Sequence, residues 1–144
     1  MLNILIVDND PIDRRVIKRN FQKNKIQNPS HEANNGKEAI EILRKNIDSE
    51  QTKTWLILLD LNMPIMDGHE FLKETRLSFD FINAFVIVLS TSNSPQDRKK
   101  AFVNGAFGYI VKDIENQDFV NDLNKINAIH IKNSQEGAEI EIST

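Results

Sequence analysis

Three uninterrupted apolar runs, "ILIV" at residues 4–7, "LILL" at 56–59 and "FVIVL" at 85–89, constrain this chain more than any other feature of it. A strand with one wet face alternates apolar and polar residues, so a strand without alternation must be covered on both faces. Between and after the runs lie amphipathic segments of about three helical turns. "PIDRRVIKRNFQ" carries Ile12, Val16, Ile17 and Phe21 at helical spacing, with Pro11 suited to a first turn. "HEANNGKEAIEILRKN" turns at Asn35-Gly36 and then presents Ala39, Ile40 and Leu43 on one stripe. "GHEFLKETRL", "SPQDRKKAFVNG" and a final helix through Phe119, Leu123 and Ile126 obey the same rule, and "GYIVK" adds a short strand. One polar strand is expected near Ser30 to Ala33. Strands that alternate with helices read as βαβ crossovers, and so as a parallel sheet with helices on both sides.

A chain of 144 residues buries one ordinary core, so a single domain is expected. The net charge of −3, with Lys and Arg scattered, offers nothing to attract a phosphodiester backbone, and no nucleic-acid partner is expected. Without cysteine there is no disulfide, thiolate metal site or Cys nucleophile, which suits a reducing compartment; the cytoplasm is the expected location. The apolar stretches are far shorter than the roughly 20 residues that span a bilayer. The opening "MLNILIVDND" has no basic region ahead of its apolar run, so neither signal peptide nor membrane contact is expected.

In doubly wound sheets ligands bind beyond the carboxyl ends of the strands, where the strand order reverses. The residues just past each apolar run therefore map a site: Asp8, Asn9 and Asp10 after the first, Asp60 after "LILL", Ser90 and Thr91 after "FVIVL", and Lys112 after "GYIV". Any one of these alone is an ordinary polar residue where a strand runs out into solvent. Together they are less ordinary. Carboxylates at neighbouring strand tips repel one another unless they share a cation, and an all-oxygen set suits a hard divalent ion such as Mg²⁺. An acidic pocket with a lysine, a hydroxyl and a divalent ion has the parts to hold a phosphoryl group, with Asp60 as the oxygen nucleophile that becomes an aspartyl phosphate.

At "ILIVDND", "LLDLNMPIMDG", "VIVLSTS" and "NGAFGYIVK", in that order, the chain resembles the receiver domains of two-component response regulators, over roughly residues 2 to 130. Asp60 stands thirty positions before Ser90, and Ser90 twenty-two before Lys112, which are the family's spacings. The resemblance implies a flavodoxin-like doubly wound five-stranded parallel sheet, order 2-1-3-4-5, with helices on both faces. It implies Asp60 as phosphoacceptor, Lys112 and Ser90 on the phosphoryl oxygens, and Tyr109 as the aromatic that swings inward when the hydroxyl moves. Mg²⁺ would be held by Asp8, Asn9, Asp10, Asp60 and the backbone carbonyl of Asn62. Pro64 and Asp67-Gly68 would shape the loop after the acceptor, with Gly68 where φ is positive or space is short. The implied donor is a sensor histidine kinase or a phosphotransfer protein. The chain would then be a switch that changes partner binding, not an enzyme beyond Mg²⁺-dependent self-phosphorylation and dephosphorylation.

Two positions depart from the family. Its second adjacent acid is here Asn9, whose amide brings no charge to the ion, so weaker Mg²⁺ binding is expected unless Asp10 turns inward. Its proline after the lysine, in a cis peptide, is here Asp113, where a cis bond would cost about 2.5 to 4 kcal/mol.

Other readings fare worse. A haloacid-dehalogenase-type phosphohydrolase needs a second Asp as general acid where "DLN" has Asn62. A nucleotide binder needs a Gly-rich phosphate loop where "DNDP" stands. The alternative that stays open is a degenerate receiver acting as a phosphorylation-independent binding module. His31, His69 and His130 lie far apart and outside the rim, and are expected to face solvent. "DRRVIKR" reads as the wet face of a helix or a patch that steers a partner. The receiver is expected over residues 1–131, with 132–144 as a mobile polar tail and no room for a further domain; the alternation in "EIEI" would also suit an edge strand, which leaves a homodimer open.

Overall fold

The computed structural model describes residues 1–46, 54–61, 68–78, 83–113 and 117–143. In chain order its elements are β1 (Asn3–Val7), α1 (Pro11–Lys23), β2 (Ser30–Ala33), α2 (Gly36–Lys45), β3 (Thr54–Asp60), α3 (Gly68–Ser78), β4 (Asn83–Ser90), α4 (Pro95–Val103), β5 (Gly108–Val111), α5 (Phe119–Asn124), β6 (Ile129–Ser134) and β7 (Gly137–Ile142). The first five strands form one parallel sheet in the order β2-β1-β3-β4-β5, as expected. No described helix is long and apolar enough to cross a membrane.

Alternate side chains of each central strand enter opposite cores. Leu5, Val7, Ile57, Leu59, Val86 and Val88 pack with Ala39, Ile40 and Leu43 of α2, Phe71 and Leu72 of α3 and Ala101 of α4. Ile4, Ile6, Leu56, Leu58, Ile87 and Leu89 pack with Ile17 and Phe21 of α1 and Phe119, Val120 and Leu123 of α5. This two-sided burial is why the runs do not alternate. Each such Leu or Ile, wholly buried, contributes about 1.5–3 kcal/mol. β2 lies at the edge, so Ser30 and Glu32 can face water, and the strand forms despite its polarity.

The helices start where short polar side chains accept their first N–H groups. Asp10 caps α1 by accepting from Ile12 N at 2.9 Å, with Pro11 in the first turn. Asn35 caps α2 by accepting from Glu38 N, and the Glu38 carboxylate accepts in turn from Asn34 N at 2.7 Å, one residue before the cap. Ser94 caps α4 ahead of Pro95.

The C-terminal segment departs from expectation. α5 ends at Asn124, before Ile126, and residues 129–142 form an antiparallel hairpin where a mobile tail beyond 131 was expected. Its physical basis is a period-two pattern: Ile129 and Ile140 are buried in the α1/α5 core, with Ile131 and Ile142 packed against it. Gly137, the first residue of β7 after the turn at 135–136, takes φ +151°, and a side chain there would also meet Lys25 O at 2.6 Å. Asn28 acts as a surrogate strand residue. Its amide donates to Leu2 O (2.9 Å) and Ile140 O (3.1 Å) and accepts from Ile140 N (2.8 Å). Ala138 exchanges backbone bonds with Lys25 O and Gln27 N. These ties join the hairpin to the amino ends of β1 and β2, away from the rim where the strands finish.

Candidate functional site

The rim gathers one residue from each of four strands: Asp8 directly after β1, Asp60 ending β3, Ser90 ending β4 and Lys112 directly after β5. The Lys112 backbone N–H donates to Ser90 O at 2.8 Å, which sets where its side chain departs. That side chain then crosses the tips of β4 and β3. Its Nζ lies 2.7 Å from Asp8 Oδ2, 3.0 Å from Asp13 Oδ2 and 3.8 Å from Asp60 Oδ1. Asp8, Asp60 and Ser90 are buried, and the Lys112 side chain is only 4% exposed.

Burial alone would favour a neutral amine. It does pull the Lys112 pKa down, but the hydrogen bond to Asp8, the charges of Asp60 and Asp8 and the bond to Asp13 together outweigh it, and the group titrates above the ordinary 10.5. Lys112 is therefore a fixed cation. Three carboxylates around one ammonium, −3 against +1, still leave the cluster with a formal −2. That excess and the all-oxygen donors suit a hard divalent cation. Among the described residues no three His, Cys, Asp or Glu side chains are grouped to hold a metal, so an ion here would rest on Asp8 and Asp60 plus neutral donors.

Each remaining candidate has a definite place. The Asp8 carboxylate also accepts from Asp10 N at 2.9 Å, and the guanidinium of Arg14 donates to the Asp8 carbonyl. Asp10 is exposed and caps α1 through Oδ1, and Asn9 is exposed beside it. Asn62, Pro64 and Asp67 lie outside the described residues. Gly68 is tight: a Cβ there would sit 2.6 Å from Leu61 Cα and 2.9 Å from Asp60 O, so the start of α3 presses on the backbone that carries Asp60. Ser90 Oγ accepts from Ser92 N at 3.0 Å. Tyr109 is turned inward, its hydroxyl donating to Ser92 O at 2.8 Å and its ring under the Arg98 guanidinium at 4.8 Å. The residue after the lysine, Asp113, is exposed, and no described peptide is cis.

The basic stretch of α1 is more than a wet face, since Arg14 and Lys18 both pair with Glu32 of β2. Two histidines differ from expectation: His31 is half-buried against Trp55, with ring centroids 5.5 Å apart, and His69 is half-buried at the start of α3; His130 is exposed. Asp13 is the site residue that sequence reasoning missed. The signal was its position: α1 starts three residues after Asp8, so any first-turn carboxylate stands over the rim.

A family model described as the response regulator receiver domain matches residues 4–124. The chain is 35% identical over 122 residues to the nitrate/nitrite response regulator protein NarL of Escherichia coli K12, covering 85% of this chain and 53% of that protein. It thus spans about half the length of that relative. Among solved structures it is similar to the response regulator TrrA of Thermotoga maritima in complex with Mg(2+)-BeF (TM-score 0.66, 25% identity, 88% of this chain and 99% of that one). It is also similar to the receiver domain of Ssk1, solved with the histidine phosphotransfer protein Ypd1 of Saccharomyces cerevisiae (TM-score 0.62, 28% identity, 77% of this chain and 78% of that one). Sheet order and family match agree: the chain belongs to the receiver domains of two-component response regulators.

Proposed function

We propose that this chain is a phosphorylatable switch in which Asp60 takes a phosphoryl group from a sensor histidine kinase or a phosphotransfer protein and partner binding changes as a result. In the transfer, an Asp60 carboxylate oxygen forms a bond to phosphorus while the bond from phosphorus to the donor's imidazole nitrogen breaks; that nitrogen keeps the electron pair and takes up a proton. The observation that carries this reading is the convergence of Asp8, Asp60 and the Lys112 ammonium at one rim. Lys112 would neutralise phosphoryl oxygens, and Ser90 would donate its hydroxyl to them. Mg²⁺, on Asp8 and Asp60 with the Asn62 carbonyl, would supply charge neutralisation when bound. Tyr109, tied to the loop beyond Ser90, is the natural relay from the rim to the surface of β5 and α4. The partner of the Ssk1 receiver supports a phosphotransfer protein as one class of donor. The cytoplasm suits such a chain.

The test is incubation with acetyl phosphate and Mg²⁺, then intact-mass measurement. The wild type is expected to gain one phosphoryl group and Asp60→Asn none. If the wild type gains nothing from acetyl phosphate, nor from any histidine kinase of its own cell, the chain is the phosphorylation-independent binding module that the uncharged Asn9 would suit.

A further inference from the structure

The ammonium of Lys112 has three N–H groups, and their allocation is uneven. One donates to Asp8 Oδ2 at 2.7 Å and a second to Asp13 Oδ2 at 3.0 Å, while Asp60, the proposed acceptor, stands off at 3.8 Å, outside hydrogen-bond length. Asp8 alone already neutralises the buried amine. Asp13 instead adds a negative charge to a cluster in excess of them, and it does not start the helix, because Asp10 does that. Its carboxylate is 16% exposed and is delivered by the first turn of a helix whose start is pinned twice, by the Asp10 cap and by Arg14 on the Asp8 carbonyl. Such a group on a rigid element sets direction more than it adds stability.

From this arrangement we infer that Asp13 is a positioning residue: it holds the Lys112 ammonium on the α1 side of the rim, away from Asp60, until an incoming phosphoryl group competes for it. The inference rests on the reading of Asp60 as phosphoacceptor. Phosphorylation then exchanges one acceptor of Lys112 for another, Asp13 for a phosphoryl oxygen, and the strength of the Asp13 bond sets how readily that exchange happens. Removing it leaves Lys112 available before the donor arrives.

The test combines two measurements on the full chain. Labelling rates from acetyl phosphate with Mg²⁺ are compared for wild type, Asp13→Asn, Lys112→Met and the double variant, and proton exchange at the Lys112 ammonium is monitored by ¹⁵N NMR in the metal-free protein. Asp13→Asn is expected to label roughly threefold to tenfold faster, the worth of one charge-assisted hydrogen bond partly repaid by water. Its Lys112 ammonium protons should exchange faster than in wild type. In the Lys112→Met background, adding Asp13→Asn should change nothing, because the residue acts through the lysine. Asp13→Glu, which keeps a carboxylate in reach, should stay close to wild type in both measurements. Unchanged or slower labelling in Asp13→Asn overturns the inference. So does an equal acceleration with and without Lys112, which would mean that Asp13 acts by repelling the donor, and so does unchanged ammonium exchange. A wild type that takes no label removes the reading of Asp60 itself, and this inference with it; a wild type that labels alongside an indifferent Asp13→Asn removes the inference alone.

Discussion

The two ends of the sheet are built on opposite principles. At the carboxyl ends of the strands, two buried acids and the half-buried Asp13 crowd one ammonium and leave the cluster at −2. At the amino ends, the hairpin of β6 and β7 closes the fold with buried isoleucines and a buried neutral amide, Asn28, whose three bonds reach Leu2 and Ile140. The amino end satisfies the demands of burial with apolar contacts and paired polar groups. The rim retains charge that a fold optimised for stability alone would discard, since buried ion pairs are often no better than apolar packing. Its surplus of negative charge is what a divalent cation would offset.

That contrast is sharpest when each end is broken in turn. Lys112→Ala strands the Asp8 carboxylate, 2% exposed, without its cation, and the expected loss is about 3–5 kcal/mol in chelator, read by urea unfolding. Mg²⁺ should restore part of it, because an ion that binds only the folded rim stabilises by mass action. Ile140→Ala at the other end should cost about 2–5 kcal/mol by cavity formation, with no relief from Mg²⁺ and no change in Asp60 labelling. If both variants respond alike to the ion, the two ends are not distinct.

A smaller effect separates them by pH. Because the folded pKa of Lys112 lies above the ordinary 10.5, its contribution to stability is complete below that pH and is lost as pH rises through the folded value. Between those values the unfolded chain binds fewer protons than the folded one, so stability falls with rising pH. Melting of the wild type above pH 10.5 should fall more steeply than that of Lys112→Met; parallel curves would contradict the charged-clamp picture. Smallest is the effect of charge at Asn9. Asn9→Asp should tighten Mg²⁺ by roughly tenfold, as one more carboxylate near the ion, read by calorimetry, and equal affinity would refute the idea that the amide weakens the site.

The parallel sheet was legible because its pattern is physical: "ILIV", "LILL" and "FVIVL" lack alternation for the reason that two cores flank them. The same logic brought Asp8, Asp60, Ser90 and Lys112 to one rim, each placed by where a strand stops. What escaped was set by tertiary contact. Asp13 stood unremarked within "DRRVIKR", and its place in the first turn after Asp8 becomes a site position through the reach of Lys112 across two strand tips. The hairpin was half visible in "EIEI", but its partner "IHIK" continues the spacing of α5, so helix and strand periodicities overlap there. Asn28 carried no sequence signal of the three bonds it makes.

The most direct test of a phosphoryl switch is to locate the phosphoryl group. Wild-type protein labelled with acetyl phosphate and Mg²⁺ is reduced with borohydride, which converts an aspartyl phosphate to homoserine, and is then mapped by tandem mass spectrometry. The convergence of the rim on Asp60 predicts homoserine at position 60 and at no other aspartate. Homoserine at Asp8, Asp10 or Asp13 in place of Asp60, or an unmodified chain, would contradict it.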